Sequence, residues 1–318
     1  MNSSATPAAP RSYDAARRAA LDTPHLFEGV PKSKRSDHFN RALVLHRLFA
    51  NQPDGWLLKG ASALLWRDSY SRETKDLDLC RLGAHDVLEA VEHLRAALET
   101  PSTPPSDVRF DVALQRPPWS PDGGVHHVAT VAVGITDRQG SALSHPVKID
   151  VVIGTGPVGM PETVPSHDLS AALRCESQDV RLYPVTDHLA DKISATFQRY
   201  GDRPSTRIRD LVDIVYLSER HSFRMSTLWT ALESLRAERE APPYPKSFSV
   251  PKSWEKRYPV FREKKAPQAP ETFIEAFEQA QAFLDPVLAW DGDGDFVWTE
   301  NQWRPEPRSA SAPTASPR

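Results

Sequence analysis

The stretch KGASALLWRDSYSRETKDLDLC, residues 59–80, combines a turn of small residues with two aspartates in alternate positions. It overlaps GWLLKG (55–60), a short apolar run ending in glycine that is typical of a strand leading into a turn. ASALLWR (61–67) then has the composition of a helix, and TKDLDLCRL (74–82) alternates polar and apolar residues as a half-buried strand does. The order strand, short helix, strand predicts a mixed α/β unit with both aspartates on a strand.

Segments on both sides of this stretch show the same two periodicities, helical and alternating. Apolar residues at helical spacing and β-like runs predict two helices and then three strands, at 36–52, 84–99, 108–114, 128–136 and 147–154. After residue 165 the period becomes helical, with helices predicted at 185–200, 205–220, 224–239 and 270–284. The proline-rich residues 242–270 are predicted to be a loop or extended connector, because proline lacks a donor and breaks helices.

These patterns divide the chain into four parts. Residues 11–165 are predicted to form an α/β domain and residues 166–302 a mainly helical domain. The polar, Pro/Ser/Ala-rich ends, 1–10 and 303–318, are predicted to be disordered. The predicted fold class is therefore α+β, with a mixed β-sheet flanked by helices and a C-terminal helical domain.

Composition restricts the class of protein. Hydrophobic residues make up 39% and charged residues 25%, which fits a globular chain with a core, and a formal net charge of −3 means that a polyanionic partner needs a local basic patch. Cys80 and Cys175 show no CxxC spacing, which argues against a disulfide framework or zinc site. We find no apolar signal segment at the N-terminus and no membrane-spanning run. We therefore expect a soluble, cytoplasmic protein without a membrane partner.

The two aspartates of DLDL face the same side of their strand, while Leu77 and Leu79 face the core. Adjacent carboxylates such as those of Asp76 and Asp78 repel each other unless a positive charge lies between them, and hard oxygen ligands select Mg²⁺ or Mn²⁺. A solvent-exposed acidic strand face explains the same tripeptide. A third acid, Asp150, occurs in VKIDVVI, where a lone solvent-facing aspartate is the alternative.

Gly60 and Ser62 lie at the predicted turn between strand and helix. Glycine permits close backbone approach to a phosphate, and serine adds a hydroxyl beside the amides of the helix N-terminus. A tight helix start with no ligand is the alternative for these two residues. Together, the turn and the acids supply complementary features, a place for a phosphate and carboxylates for divalent ions.

This combination resembles the first motif of the nucleotidyltransferases of DNA polymerase β type and, more narrowly, of the AbiEii/AbiGii toxin family, which includes MenT-like toxins. That motif is a Lys-Gly-small-Ser/Thr turn followed by Arg-x-[Ser/Thr]-x-Asp-[Leu/Ile/Val]-Asp. It is matched here by Lys59, Gly60, Ala61, Ser62, Arg72, Thr74, Asp76, Leu77 and Asp78. A second family block, a lysine early in one helix and Arg-Asp-x-x-Asp in the next, is matched by Lys192, Arg209, Asp210 and Asp213. The resemblance covers about residues 36–260.

The resemblance implies a metal-dependent nucleotidyltransferase that moves a nucleoside monophosphate from an NTP to a hydroxyl group. The metal ligands that it implies are Asp76, Asp78 and Asp150, which would bind Mg²⁺ or Mn²⁺. The nucleotide-binding residues that it implies are Lys59, Gly60, Ser62, Arg72, Lys192 and Arg209. The remaining catalytic residues that it implies are Lys192, Asp210 and Asp213, with either aspartate orienting Lys192 or Arg209. A salt-bridge ladder on a helix surface is the alternative for this second block.

The resemblance also implies an acceptor and a partner, because toxin relatives add nucleotides to the 3′ end of tRNA and stop translation. It thus implies a tRNA acceptor and a cognate antitoxin. Basic stretches with interleaved aromatic residues suit phosphates and unpaired bases, and they occur at 181–184, 198–209 and 252–265. A solvated helix surface explains the same composition.

Two other functions stay open at this stage. One is a small-molecule nucleotidyltransferase of the antibiotic-modifying kind, or a kinase, which predicts an acidic acceptor cleft. The other is a binding module that has lost catalysis and docks RNA or protein. The sequence does not fix the oligomeric state, although a monomer is favoured.

Overall fold

The computed structural model describes residues 9–23, 27, 30–67, 74–116, 128–154, 156–165, 169–198 and 205–306. The chain consists of two compact units, Met1–Pro184 (unit 1) and Val185–Arg318 (unit 2). None of the described helices is long and apolar enough to cross a membrane.

Unit 1 is built around a seven-stranded mixed sheet. Its described helices are α1 (Tyr13–Leu21), α2 (Arg35–Asn51), α3 (Gly60–Arg67), α4 (Val87–Glu99) and α5 (Leu169–Leu173), with a 3₁₀ helix at Lys32–Lys34. Its strands are β1 (Trp56–Lys59), β2 (Leu77–Arg81), β3 (Val108–Arg116), β4 (Val128–Asp137), β5 (Val147–Ile153), β6 (Glu162–Pro165) and β7 (Asp179–Leu182). The sheet order is β3-β4-β5-β2-β1-β7-β6. Strands β2 and β5 pair in parallel, as do β1 and β7, and the other neighbours pair antiparallel.

Alternation along the central strands determines which side chains enter the core. Leu77 and Leu79 of β2 and Ile149 and Val151 of β5 are fully buried, and α2 and α4 pack on the sheet. The opposite face therefore carries the polar residues of the same strands, including the aspartates.

Helix α4 begins at Val87, three residues later than its predicted start. Asp86 is its N-cap, because the Asp86 carboxylate accepts hydrogen bonds from the backbone N–H groups of Leu88 and Glu89, at 2.7 and 2.9 Å. The residues before Asp86 are therefore left outside the helix.

The sheet extends beyond residue 165, where the sequence placed the end of the first domain. Strand β7 pairs in parallel with β1, and β6 pairs with β7, so the unit closes at Pro184. Both strands have four residues, too few for an alternating pattern to be recognised.

Unit 2 is mainly helical, with α6 (Val185–Phe197), α7 (Ile208–Arg220), α8 (Met225–Glu238), α9 (Ser253–Lys265) and α10 (Phe273–Leu288). A small sheet with the order β10-β9-β8 is formed by β8 (Phe223–Arg224), β9 (Phe296–Thr299) and β10 (Gln302–Pro305). The predicted α+β fold class is confirmed, and the four helices predicted in this part of the chain are present.

Helix α9 contradicts the prediction that residues 242–270 form a loop or extended connector. It contains Pro259, and a proline inside a helix costs about 3 kcal/mol. Trp254 and Tyr258, four residues apart, are fully buried on one side of the helix. Trp254 Nε1 donates to the Ser205 carbonyl at 2.9 Å, and the Tyr258 hydroxyl donates to the Pro270 carbonyl at 2.8 Å. Burial of each aromatic side chain contributes about 1.5–3 kcal/mol, which offsets the proline.

The C-terminal hairpin includes residues that the sequence assigned to a disordered tail. Trp303 of β10 stacks on Phe283 and donates its indole N–H to the Phe283 carbonyl at 2.8 Å. Residues 307–318 of the predicted tail, and residues 1–8 of the predicted N-terminal tail, lie outside the described residues.

Candidate active site

Two of the predicted metal ligands are neighbours across two parallel strands. The register of β2 and β5 pairs Asp78 with Asp150, so both carboxylates stand on the same face of the sheet. Thr130 of β4 pairs with Asp150 on the other side, and its hydroxyl donates to Asp150 Oδ1 at 2.6 Å. Two acids far apart in the chain, Asp78 and Asp150, thus lie side by side, and Thr130 supports the second of them.

Gly60 allows the Asp78 carboxylate to lie against the turn before α3. The glycine has a φ of +63°, a left-handed conformation, and a Cβ at this position would lie 1.8 Å from Asp78 Oδ2. Lys59, which pairs with Asp78 in the β1–β2 register, places its ammonium 3.9 Å from the centre of the Tyr183 ring. The glycine is therefore required by the position of a carboxylate, a role that the sequence did not predict.

Ser62, predicted to bind phosphate, is fully buried. Its hydroxyl donates to the main-chain carbonyl of Asp76 at 2.7 Å. The Thr74 hydroxyl also donates to that carbonyl, at 3.4 Å. These contacts give Ser62 a positioning role, because they hold the segment that leads into β2.

Lys148 provides the positive charge beside the acids. Its ammonium lies 3.1 Å from Asp76 Oδ2 and 4.0 Å from Asp150 Oδ2. The Lys148 side chain is 50% exposed and that of Asp76 is 42% exposed. Lys148 was not among the predicted site residues, although the alternation in VKIDVVI places it on the same face as Asp150.

Asp76, Asp78 and Asp150 offer the donor atoms that Mg²⁺ and Mn²⁺ prefer, since all of them are carboxylate oxygens. The space that a Cβ at Gly60 would fill is occupied by Asp78 Oδ2. In the described parts of the chain, no three His, Cys, Asp or Glu side chains are grouped closely enough to hold a metal ion. The carboxylates therefore match such an ion in the kind of donor atom but do not form a three-ligand group in this structure, where Asp76 contacts Lys148 instead.

A second charged cluster lies in unit 2, between α6 and α7. Lys192 Nζ is 3.0 Å from Asp210 Oδ1 and 2.7 Å from Asp213 Oδ2. Arg207 Nε lies 2.6 Å from Asp210 Oδ2. Both predicted aspartates therefore contact Lys192. Arg209 is exposed, and the arginine that contacts Asp210 is Arg207, three residues earlier.

The burial of this cluster excludes a salt-bridge ladder on a helix surface. The side chains of Lys192, Asp210 and Asp213 are 8%, 0% and 2% exposed. Taking charges out of water is costly unless they are paired, and removing one partner of a buried pair costs about 3–5 kcal/mol. The block is thus a buried ionic group that joins two helices.

Part of the predicted RNA surface is corrected by the burial of its aromatic residues. Tyr183, Trp254 and Tyr258 are buried, with exposures of 4%, 0% and 0%, so they are not available to stack on bases. Arg72 and residues 199–204 of the second basic stretch lie outside the described residues. The charged side chains of the third stretch, on α9, are mostly exposed.

Known proteins match both the sequence and the fold. The sequence model of the family described as nucleotidyl transferase AbiEii toxin, type IV toxin–antitoxin system, matches residues 42–283. The structure of MenT4, a nucleotidyltransferase toxin from Mycobacterium tuberculosis H37Rv, matches with a TM-score of 0.51 and 12% identity over 88% of this chain and 90% of that chain. JHP933 from Helicobacter pylori matches with a TM-score of 0.42 and 14% identity over 80% of this chain and 88% of that chain. No curated protein matches the chain.

Proposed function

Because the chain belongs to the AbiEii family of nucleotidyltransferase toxins, we propose that it transfers a nucleoside monophosphate from an NTP to the 3′-terminal hydroxyl of tRNA and releases pyrophosphate. Membership in a type IV toxin–antitoxin family also implies an antitoxin. The tRNA acceptor, the divalent cation and the resulting block of translation and growth in the cytoplasm are the proposed parts. The observation that carries the proposal is the register that sets Asp78 beside Asp150, with Gly60 against the Asp78 carboxylate.

In this proposal the acids of unit 1 hold the metal ions, and neighbouring side chains position them or balance their charge. Asp76, Asp78 and Asp150 would hold Mg²⁺ or Mn²⁺, and such ions, when bound, would acidify the attacking hydroxyl and neutralise the triphosphate. The Thr130 hydroxyl donates a hydrogen bond to Asp150 Oδ1. In this proposal, the second carboxylate oxygen, Asp150 Oδ2, binds the metal ion. Lys148 balances the negative charge of Asp76 and Asp150 in the protein alone.

Further residues of each unit, taken separately, are proposed as nucleotide ligands. Lys59 and Arg209 are cations suited to phosphate oxygens. For Lys192 we keep the role of a cation that offsets triphosphate charge. Asp210 and Asp213 hold its ammonium in place.

The charge of α9 favours an RNA acceptor over a small molecule. Within residues 252–265, five exposed cations stand against two exposed acids, Glu255 and Glu263. The cations are Lys252, Lys256, Arg257, Lys264 and Lys265. Positive side chains on one helix suit backbone phosphates and supply the local patch that a chain of net charge −3 needs for a polyanion.

Labelled nucleotide transfer tests the proposal. Purified protein is incubated with each of the four labelled NTPs, Mg²⁺ and total tRNA, and compared with Asp78→Asn and Asp150→Asn. The matched control is Asp111→Asn, an exposed aspartate of β3 in the same sheet. We expect label on tRNA with the wild type and with Asp111→Asn, and a loss of at least about 100-fold with the other two variants.

A second substrate control identifies the acceptor atom. Periodate oxidation destroys the terminal 2′,3′-diol of tRNA, so oxidised tRNA should accept no label. An absence of labelling with all four NTPs, next to a working transferase, would refute the tRNA acceptor. Labelling of oxidised tRNA would refute the 3′ end, and full activity of Asp78→Asn would refute the site.

A further inference from the structure

A basic pocket of about 180 Å³ lies in unit 1, apart from the residues that the family motifs identify. Its polar lining comes from the 3₁₀ helix, α2, the segment before β2 and the segment before β5. These side chains are Lys34, Asp37, Asn40, Arg41, Lys75 and His145.

The pocket carries an excess of positive charge. Lys34, Arg41 and Lys75 stand against a single carboxylate, that of Asp37. In the described part of the chain, the ammonium groups of Lys34 and Lys75 have no ion-pair or hydrogen-bond partner. Unpaired lysines beside a concave surface favour an anionic ligand.

The inner wall of the pocket is built into the fold. Arg41 and Asn40 are only 5% and 2% exposed although both line the pocket. Arg41 Nη1 donates to the Thr74 carbonyl at 2.7 Å, which fixes the guanidinium against the segment leading into β2. Asn40 Oδ1 accepts from the Tyr13 hydroxyl at 2.8 Å, so the remaining amide group of Asn40 is a donor. The fold therefore holds these two side chains in place at the inner wall of the pocket.

The size of the pocket limits the ligand. Small-molecule sites usually enclose about 300–1,000 Å³, and a pocket of 180 Å³ lies below that range. A compact anion such as a phosphate group suits this size. The donors in the pocket, guanidinium, ammonium and amide, are those that phosphate oxygens accept from.

Two residues that line the pocket are adjacent in sequence to residues of the acidic cluster formed by Asp76, Asp78 and Asp150. Lys75 precedes Asp76, and the pocket residue Val147 precedes Lys148, whose ammonium contacts Asp76. Consecutive Cα atoms are about 3.8 Å apart, so the backbone of the pocket lining lies one residue from that of Asp76 and Lys148, on the side of the sheet that α2 covers. The turn at Gly60 and Ser62 contributes nothing to the lining, which separates the pocket from the predicted site of the NTP phosphates.

We infer that this pocket binds a backbone phosphate of the acceptor RNA, close to its reacting 3′ end. The inference rests on the proposed function and adds a subsite to it. Lys34, Lys75 and Arg41 neutralise the phosphate, and Asn40 and His145 donate hydrogen bonds to it.

Charge reversal of Lys34 tests the inference, with Lys32 as the matched control. Both lysines belong to the same 3₁₀ helix, and Lys34 lines the pocket whereas Lys32 does not. We compare Lys34→Glu, Lys75→Glu and Lys32→Glu by the KM for tRNA, the salt dependence of tRNA binding and the Kd for NTP. Thermal unfolding of each variant shows whether it is folded.

We expect Lys34→Glu and Lys75→Glu to raise the KM for tRNA about tenfold or more and to reduce the slope of log K against log salt by about one. Lys32→Glu should change the KM less than about threefold, and the Kd for NTP should not change in any variant. Equal effects of Lys34→Glu and Lys32→Glu, with transfer by the wild type intact, would overturn the phosphate site alone. A wild type that labels no RNA would instead overturn the proposed acceptor.

Discussion

Replacing Gly60 by alanine should displace the Asp78 carboxylate from its place beside Asp150. The φ of +63° at Gly60 is a left-handed conformation, which costs an L-residue about 1–2 kcal/mol. The added Cβ would lie 1.8 Å from Asp78 Oδ2 and 2.5 Å from Asp78 Cγ, far inside van der Waals contact. The Asp78 carboxylate has to rotate away, because the new Cβ is bonded directly to the backbone and cannot move aside.

Gly83 provides a control with the same backbone strain. Its φ is +71°, and a Cβ there would meet nothing within 4 Å. Gly83→Ala and Gly60→Ala should therefore each lower the free energy of unfolding by about 1–2 kcal/mol. Rotation of a partly exposed carboxylate adds little to this loss, so the two variants should differ little in stability.

Their activities should differ greatly. A misplacement of about 1 Å in a reacting group can reduce a rate about 100-fold, and the clash at Gly60 demands a larger shift than that. We expect kcat/KM for nucleotide transfer to fall at least about 100-fold in Gly60→Ala and less than about threefold in Gly83→Ala. Urea unfolding gives the stabilities and labelled NTP the rates. Similar kcat/KM values for the two variants would refute the link between Gly60 and Asp78.

Three further perturbations address the charged groups. Lys192→Met should lower the free energy of unfolding by about 3–5 kcal/mol in urea, because two buried carboxylates lose their shared cation, whereas the exposed Arg209→Met should change it by less than about 0.5 kcal/mol. Burial, with a smaller contribution from the charge of Arg47, lowers the pKa of His46 from 6.5 to about 4. The unfolded chain therefore binds more protons between these pH values, so the free energy of unfolding should fall by up to about 3 kcal/mol as the pH drops from 6.5 to 4, and His46→Leu should remove that part of the slope. Lys148→Met removes a cation that lies within 4.0 Å of two carboxylates, and each of these attractions is worth about 1 kcal/mol in water. Without this competing charge, calorimetry should show Mn²⁺ binding several-fold tighter. Weaker binding would argue against these acids as ligands.

The sequence was most informative where a pattern extends over many residues. The helices of unit 2 at 185–197 and 208–220 and the strand that carries Asp78 follow from apolar periodicity. The AbiEii resemblance, carried by short motifs in a fixed order, is confirmed. Patterns of this kind depend on neighbours in the chain, and those neighbours are visible in the sequence.

Helix α9 shows where composition misleads. Proline content predicted a connector at 242–270, yet the burial of Trp254 and Tyr258 outweighs the cost of Pro259. The same two aromatic residues were predicted to face RNA, since their spacing among cations does not show which side of a helix is covered. Burial is a property of the tertiary structure, and single-sequence patterns do not report it.

The partners of the acids were missed for a related reason. Thr130 and Lys148 meet the acidic cluster through the register of β4 and β5, which sequence patterns do not determine. Arg207 was missed although it lies three residues before Asp210, a spacing that places both on one face of a helical turn. The family motif drew attention to Arg209, which is exposed.

The two charged clusters differ in how easily their ion pairs can be exchanged. The pair of Lys148 and Asp76 is about half exposed, so its attraction is weakened by water and breaking it costs about 1 kcal/mol or less. The pairs of Lys192 are buried, and breaking one leaves an uncompensated charge in the interior. Asp76 could therefore exchange its contact with Lys148 for a metal ion at little cost. Breaking an ion pair of the second cluster would instead destabilise the packing of α6 against α7. A loss of nucleotide transfer in Lys192→Ala would therefore have two possible causes, lost chemistry and lost folding, and only a variant with an unchanged unfolding midpoint separates them. Asp78 is half-buried on the sheet surface, so Asp78→Ala should reduce folding stability less than Lys192→Ala does.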